Sequence, residues 1–135
     1  KDPIVAFLSF STKGSADHYR VDKVRDAYNI FKKKYKGIIS DGELQFDAAY
    51  SSEVYKNKLE QSSGDLPLLN NSANVFIFPN LESGNIAYRI TQYLGGYSAL
   101  GPLLQGLNKP VHDLSRGCSV EDIVNIAAIA ALQKK

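Results

Sequence analysis

The chain has 135 residues, 44% hydrophobic and 22% charged, with 10 Gly and 5 Pro, the make-up of one ordinary globular domain. Sixteen Lys and Arg against fourteen Asp and Glu leave a formal charge of +2 with no long basic tract, which disfavours a nucleic-acid binder. The longest mainly apolar run, residues 123–132 interrupted by Asn125, is about half of the roughly 20 residues a membrane span needs, and the first residues given do not read as basic-then-apolar, so neither a span nor a signal peptide is expected. A single cysteine, Cys118, excludes an internal disulfide and makes a cytoplasmic setting the expectation. There is no methionine, and the sequence begins at Lys1, so a processed chain or an excerpt carrying only part of a site is expected.

Residues 4–10 (IVAFLSF) form a near-continuous apolar run, the pattern of a strand covered on both faces of a parallel sheet, and 11–15 (STKGS) is the turn that ends it. Val21, Val24, Tyr28, Phe31 and Tyr35 then recur at spacings of three and four. They line one face of a helix of about four turns, stopped near Gly37, with Arg25, Lys32 and Lys33 facing outward. Residues 37–40 (GIIS) read as a short second strand, Asp41 and Gly42 as its closing turn, and 44–60 as a helix. The stretch 61–72 collects Ser, Asn, Gly, Asp and Pro without periodicity and reads as a surface loop. A third buried strand is predicted at 73–78 (ANVFIF), followed by a helix carrying Ile86, Ile90, Tyr93 and Leu94 that stops at Gly95 and Gly96. A weaker fourth strand at 98–104, a loop at 105–117 and a helix from Ser119 to about Gln133 complete the chain.

Strand and helix alternate, so the predicted fold class is α/β: a mostly parallel sheet with helices on both faces. Ligands of such sheets meet the loops at the carboxyl ends of the strands, here 11–15, 79–84 and 105–117. Apolar residues surround the last helix instead of forming one stripe, so it is expected to be buried on most sides, by another domain or subunit.

The densest chemical candidate is residues 113–122 (DLSRGCSVED), a loop running into a helix. Free N–H groups and the positive end of the helix dipole suit an anion there. Arg116 adds a planar donor fork for two phosphate oxygens, and Gly117 is expected to take positive φ and let the backbone approach a ligand. Each residue also has a structural reading. Ser119 with Asp122 matches a capping box, Asp113 and Ser115 suit turns, and Arg116 suits a solvated surface. Cys118 is either an activated nucleophile or a packed, inert side chain. The segment Ser11, Thr12, Lys13, Gly14 is like a phosphate loop in composition only, because Lys13 precedes its glycine; it reads as a strand-end turn from which Lys13 can still meet an anion. Asp41 and Glu43 read either as turn chemistry or as the lining of a site. No Cys or His cluster has metal-ligand spacing.

Residues 9–15 (SFSTKGS), 41–45 (DGELQ) with 47–49, 73–79 (ANVFIFP), 84–88 (GNIAY), 101–111 (GPLLQGLNKPV) and 113–125 (DLSRGCSVEDIVN) resemble the C-terminal portion of the phosphate acetyltransferases, or phosphotransacetylases. The order of the blocks is the same. The resemblance implies part of a two-domain α/β protein with a fold like isocitrate and isopropylmalate dehydrogenases. Residues 1–94 would be the second half of the inserted domain, and 95–135 the return segment of the first domain carrying the catalytic loop and helix. It further implies a missing N-terminal domain and a homodimer. The implied reaction is reversible acetyl transfer between acetyl phosphate and coenzyme A, giving acetyl-CoA and phosphate, with coenzyme A as a substrate and neither cofactor nor metal bound.

In that chemistry a thiol of pKa near 8.5 is helped by a positioned base, a role the resemblance gives to Asp122. Arg116 would hold the acyl phosphate, and Ser115 would donate a hydrogen bond to the transition state. Ser11, Lys13, Gly14, Asp113 and Gly117 are the expected substrate-binding residues. One departure is His112, where many relatives carry asparagine. Three readings stay open: direct acetyl transfer, with butyryl transfer as its variant; a non-catalytic module that binds coenzyme A or assembles through the last helix; and an acyl-enzyme on Cys118.

Overall fold

The structure, a computed structural model, describes residues 1–62 and 72–133, the side chains of 61 and 62 apart. The chain divides into two compact units, Lys1–Asn85 and Ile86–Lys135. The first unit holds β1 (Ile4–Leu8), α1 (Tyr19–Lys34), β2 (Ile39–Leu44), α2 (Phe46–Tyr50), α3 (Ser52–Ser62), β3 (Val75–Ile77) and the first residues of α4 (Leu81–Gly95). Its strands form a parallel sheet in the order β2-β1-β3.

β1 lies in the middle, and its alternation explains why its sequence is apolar throughout. Val5 and Phe7 pack with Val24 and Tyr28 of α1, while Ala6 and Leu8 meet Leu44, Ala48, Ala49, Tyr55 and Leu59 from β2, α2 and α3. Helices therefore cover both faces, as the strand-helix alternation predicts.

β2 departs from the prediction. Asp41 and Gly42 do not turn the chain; the strand runs through them to Leu44, pairing Ala6 with Asp41, Phe7 with Gly42 and Leu8 with Leu44. The register shift between Phe7 and Leu8 makes Glu43 an inserted residue, and a bulge of this kind bends the strand and re-aims a side chain. Because of the insertion, Leu44 stays on the core face with Leu8 instead of rotating to the opposite one. The glycine serves close packing: a Cβ on Gly42 would stand 2.6 Å from the Cβ of Phe7.

The single helix expected over 44–60 is two, α2 and α3, broken at Ser51. The extended backbone of Ser51 ends α2, and its hydroxyl accepts the Val54 N–H at 3.3 Å. The serine acts as a cap inside what reads as one apolar period. Of the loop expected over 61–72, residues 63–71 lie outside the described residues.

The second unit contains the rest of α4 and α5 (Val120–Leu132). The fourth strand expected over 98–104 does not form. Pro102 has no N–H to give a ladder and Gly101 weakens a strand, so the 105–117 loop does not follow a strand of the sheet. α5 begins with the predicted cap, yet Ile126 is its one buried residue among those described, and Leu132 is 86% exposed. No helix among the described residues is long and apolar enough to cross a membrane.

Candidate active site

Residues 112–122 lie wholly in the second unit. The carbonyl of Ser115 accepts the Cys118 N–H at 3.0 Å, closing a turn with Arg116 and Gly117 at its corners. The Ser115 hydroxyl accepts the Gly117 N–H at 3.4 Å, and Asp113 Oδ1 accepts the N–H of its neighbour Leu114 at 2.8 Å. Gly117 does not adopt the positive φ expected of it, because an ordinary turn places no such demand at that corner; Gly14, Gly96 and Gly106 do. Arg116 is exposed, and among the described residues its guanidinium has no hydrogen bond or ion pair. Cys118 is a half-buried free thiol.

At the start of α5, Asp122 and Ser119 make a full capping box. Asp122 Oδ2 accepts both the Ser119 N–H at 2.8 Å and the Ser119 hydroxyl at 2.9 Å, and the Asp122 N–H donates to Ser119 Oγ at 3.1 Å. The backbone bond first, and the hydroxyl second, hold this carboxyl below the usual Asp range. Both bonds use one oxygen. Oδ1 accepts no hydrogen bond among the described residues. Asp122 is thus an ionised cap at neutral pH with one oxygen still open. His112 ties the same segment to the far end of α5: its Nε2 is 2.7 Å from Gln133 Oε1, while Nδ1 is buried without a partner.

Ser11, Lys13 and Gly14 sit together in the first unit, beyond the carboxyl end of β1, and converge on the bulged end of β2. Glu43 Oε1 accepts the Gly14 N–H at 2.7 Å and the Ser11 hydroxyl at 3.2 Å, while the Arg25 guanidinium grips the carboxylate with Nε at 3.1 Å and Nη2 at 3.2 Å. Burial by itself pushes the Glu43 carboxyl up, but the bonds from Arg25 and from the Gly14 N–H outweigh it and hold the group below the usual Glu range. Lys13 forms an ion pair with fully buried Asp41, which also accepts the Tyr55 hydroxyl. Thr12 Oγ1 accepts the Gln45 N–H at 2.9 Å and donates to Gln45 Oε1 at 3.2 Å. Burial, and after it the nearby Asp41 carboxylate, pushes the Tyr28 hydroxyl up to about 12.

Sequence reasoning missed Arg25, which it turned to solvent, and left Asp41 and Glu43 open between turn chemistry and the lining of a site. The usable signal was an Asp-Gly-Glu run directly after apolar strand residues, with a Lys-Gly turn after the preceding strand. Two groups of expected site residues therefore exist, one in each unit.

The family model for phosphate acetyl/butaryl transferases matches residues 1–131. The phosphate acetyltransferase of Bacillus subtilis (strain 168) is 52% identical over 132 residues, which are 98% of this chain and 39% of that protein. That of Staphylococcus epidermidis is 50% identical over 137 residues, covering 98% and 40%. Among solved structures, the EutD phosphotransacetylase from Staphylococcus aureus superposes with a TM-score of 0.85 at 52% identity, over 98% of this chain and 40% of that one. A phosphotransacetylase from Streptococcus pyogenes gives 0.87 at the same 52% identity, over 98% and 39%. The chain spans about two-fifths of the length of the relatives it matches and belongs to the phosphate acetyl/butaryl transferase family.

Proposed function

We propose that the protein carrying this chain transfers an acetyl group reversibly between acetyl phosphate and coenzyme A. The observation that supports this best is the loop-helix junction in the second unit, where Asp122 Oδ1 and the Arg116 guanidinium both have no partner among the described residues. In the reaction, Asp122 takes the thiol proton and sulfur attacks the acetyl carbon. The bond from that carbon to the phosphate oxygen breaks, and phosphate leaves with the electron pair. Arg116 neutralises the departing charge and Ser115 donates a hydrogen bond to the transition state. Direct attack needs no acyl-enzyme, so Cys118 lines the site. Acetyl is preferred to butyryl because the similar proteins are named phosphate acetyltransferases.

The same reading includes a two-domain, dehydrogenase-like architecture, divided here at residues 94 and 95, a homodimer, a cytoplasmic setting, and substrate contacts at Ser11, Lys13, Gly14, Asp113 and Gly117. The groups that complete the cleft are assigned to the three-fifths of the relatives' length outside this chain's span. The exposed apolar residues Val120, Val124 and Leu132 of α5 suit a surface covered in the whole assembly. The test is coenzyme A-dependent loss of acetyl phosphate by the intact protein that carries this chain. The expected result is turnover that survives Cys118→Ala with no labelled acetyl left on the protein. Absence of turnover, or label retained on Cys118, refutes the mechanism.

A further inference from the structure

We infer that Asp41 and Glu43 are positioning residues that hold Lys13 as a fixed, single hydrogen-bond donor to the phosphate-bearing substrate. This rests on the acyl-phosphate reading of the site. A free lysine is a flexible stem carrying three donors. Lys13 is not free: its ammonium donates to Asp41 and to the carbonyl of Gly42 at 3.3 Å, and stands 5.7 Å from the centre of the Tyr28 ring. One of the three N–H donors has no acceptor among the described residues, and 18% of the side chain is exposed.

Exchange of Lys13 from Asp41 to a substrate oxyanion is disfavoured. Asp41 is fully buried, and departure of the ammonium would strand a carboxylate away from water with the Tyr55 hydroxyl as its donor. Lys13 therefore meets an anion while still paired, through its remaining N–H. Its backbone is fixed by the same strand. Lys13 has φ of +47°, a conformation that non-glycine residues seldom adopt, followed by Gly14 at +82°. The Lys13 N–H donates to the Glu43 carbonyl at 3.2 Å, and the Gly14 N–H donates to the Glu43 carboxylate at 2.7 Å. Arg25 clamps that carboxylate from the other side. The ends of Lys13, backbone and ammonium, are thus both set by Asp41, Gly42 and Glu43.

The experiment compares wild type, Asp41→Asn, Glu43→Gln, Lys13→Ala and the double variant of Lys13→Ala with Asp41→Asn in the intact protein that carries this chain. KM for acetyl phosphate, KM for coenzyme A and kcat are read separately, with amide hydrogen exchange at residues 13–15 measured without substrate. Asp41→Asn and Glu43→Gln are expected to raise KM for acetyl phosphate on the order of ten-fold and to leave KM for coenzyme A within about two-fold. Asp41→Asn should add almost nothing once Lys13 is alanine, because coupled residues do not act additively. Glu43→Gln should speed exchange at residues 13–15. Equal shifts in both KM values, full additivity, or unchanged exchange overturns the assignment. A wild type without turnover would refute the proposed activity and, with it, the substrate role of Lys13, whereas an active wild type with equal KM shifts would overturn this assignment alone.

Discussion

The two groups of site residues differ in how far their polar atoms are committed. In the 11–15 loop, buried Ser11 and Thr12 and half-buried Lys13 are bonded to side chains about thirty positions away in sequence, on β2 and beyond it. In residues 113–122 the bonds are local: Asp113 to its neighbour, Ser115 to Gly117 and Cys118, and Asp122 to Ser119. A polar group bonded within a buried network fixes geometry and is costly to disturb. One that is exposed and only locally bonded keeps capacity for a ligand. The first loop is thus a held framework that leaves one Lys13 N–H without an acceptor among the described residues, whereas in the second segment Asp122 Oδ1 and the whole Arg116 guanidinium are open among them.

Breaking the framework should have the largest effect on stability. Glu43→Ala removes the acceptor for Arg25, the Gly14 N–H and the Ser11 hydroxyl. It should cost ~2–3 kcal/mol in urea denaturation, less than a wholly buried pair because the Arg25 side chain is 41% exposed. The same carboxylate sets an acid limb. Its folded pKa lies below the ordinary Glu value of about 4.3, so its contribution is present above that pH and is lost as pH falls through the lowered folded value. Glu43→Gln should flatten that part of the stability profile.

A smaller loss follows from Ser119→Ala, which removes the hydroxyl half of the α5 cap and should cost ~1 kcal/mol, read as a lower Tm. Smallest of all is Arg116→Ala, expected within about 0.5 kcal/mol of wild type because no group among the described residues bonds to its guanidinium. A large stability loss at Arg116, or a negligible one at Glu43, would erase the contrast between the two regions.

The same contrast explains what the sequence could reveal. β1 and α1 were legible because one strand of unbroken apolar residues and one helical stripe are local patterns that the core then uses. The cap of α5 was legible because Ser119 and Asp122 are three residues apart. The bulged end of β2 was not. Asp-Gly marks a turn by its local chemistry, yet Gly42 is there for its close approach to Phe7, and Glu43 for a bond to Gly14 twenty-nine positions back. Ser51 hid a helix break inside an apolar period. Residues 98–104 had the apolar content of a strand but, with Pro102, not the donors. In residues 113–122 the motif identified the segment, but not that both cap bonds would fall on one oxygen of Asp122 and leave the other open.

The most direct test of the account is the acetyl-transfer rate of Asp122→Asn in the intact protein, measured beside wild type at equal folded concentration. The amide keeps an oxygen to accept the Ser119 bonds and loses the base, so kcat should fall on the order of 10² to 10⁴-fold while Tm changes little. Full turnover in that variant would show that Asp122 is a helix cap and nothing more.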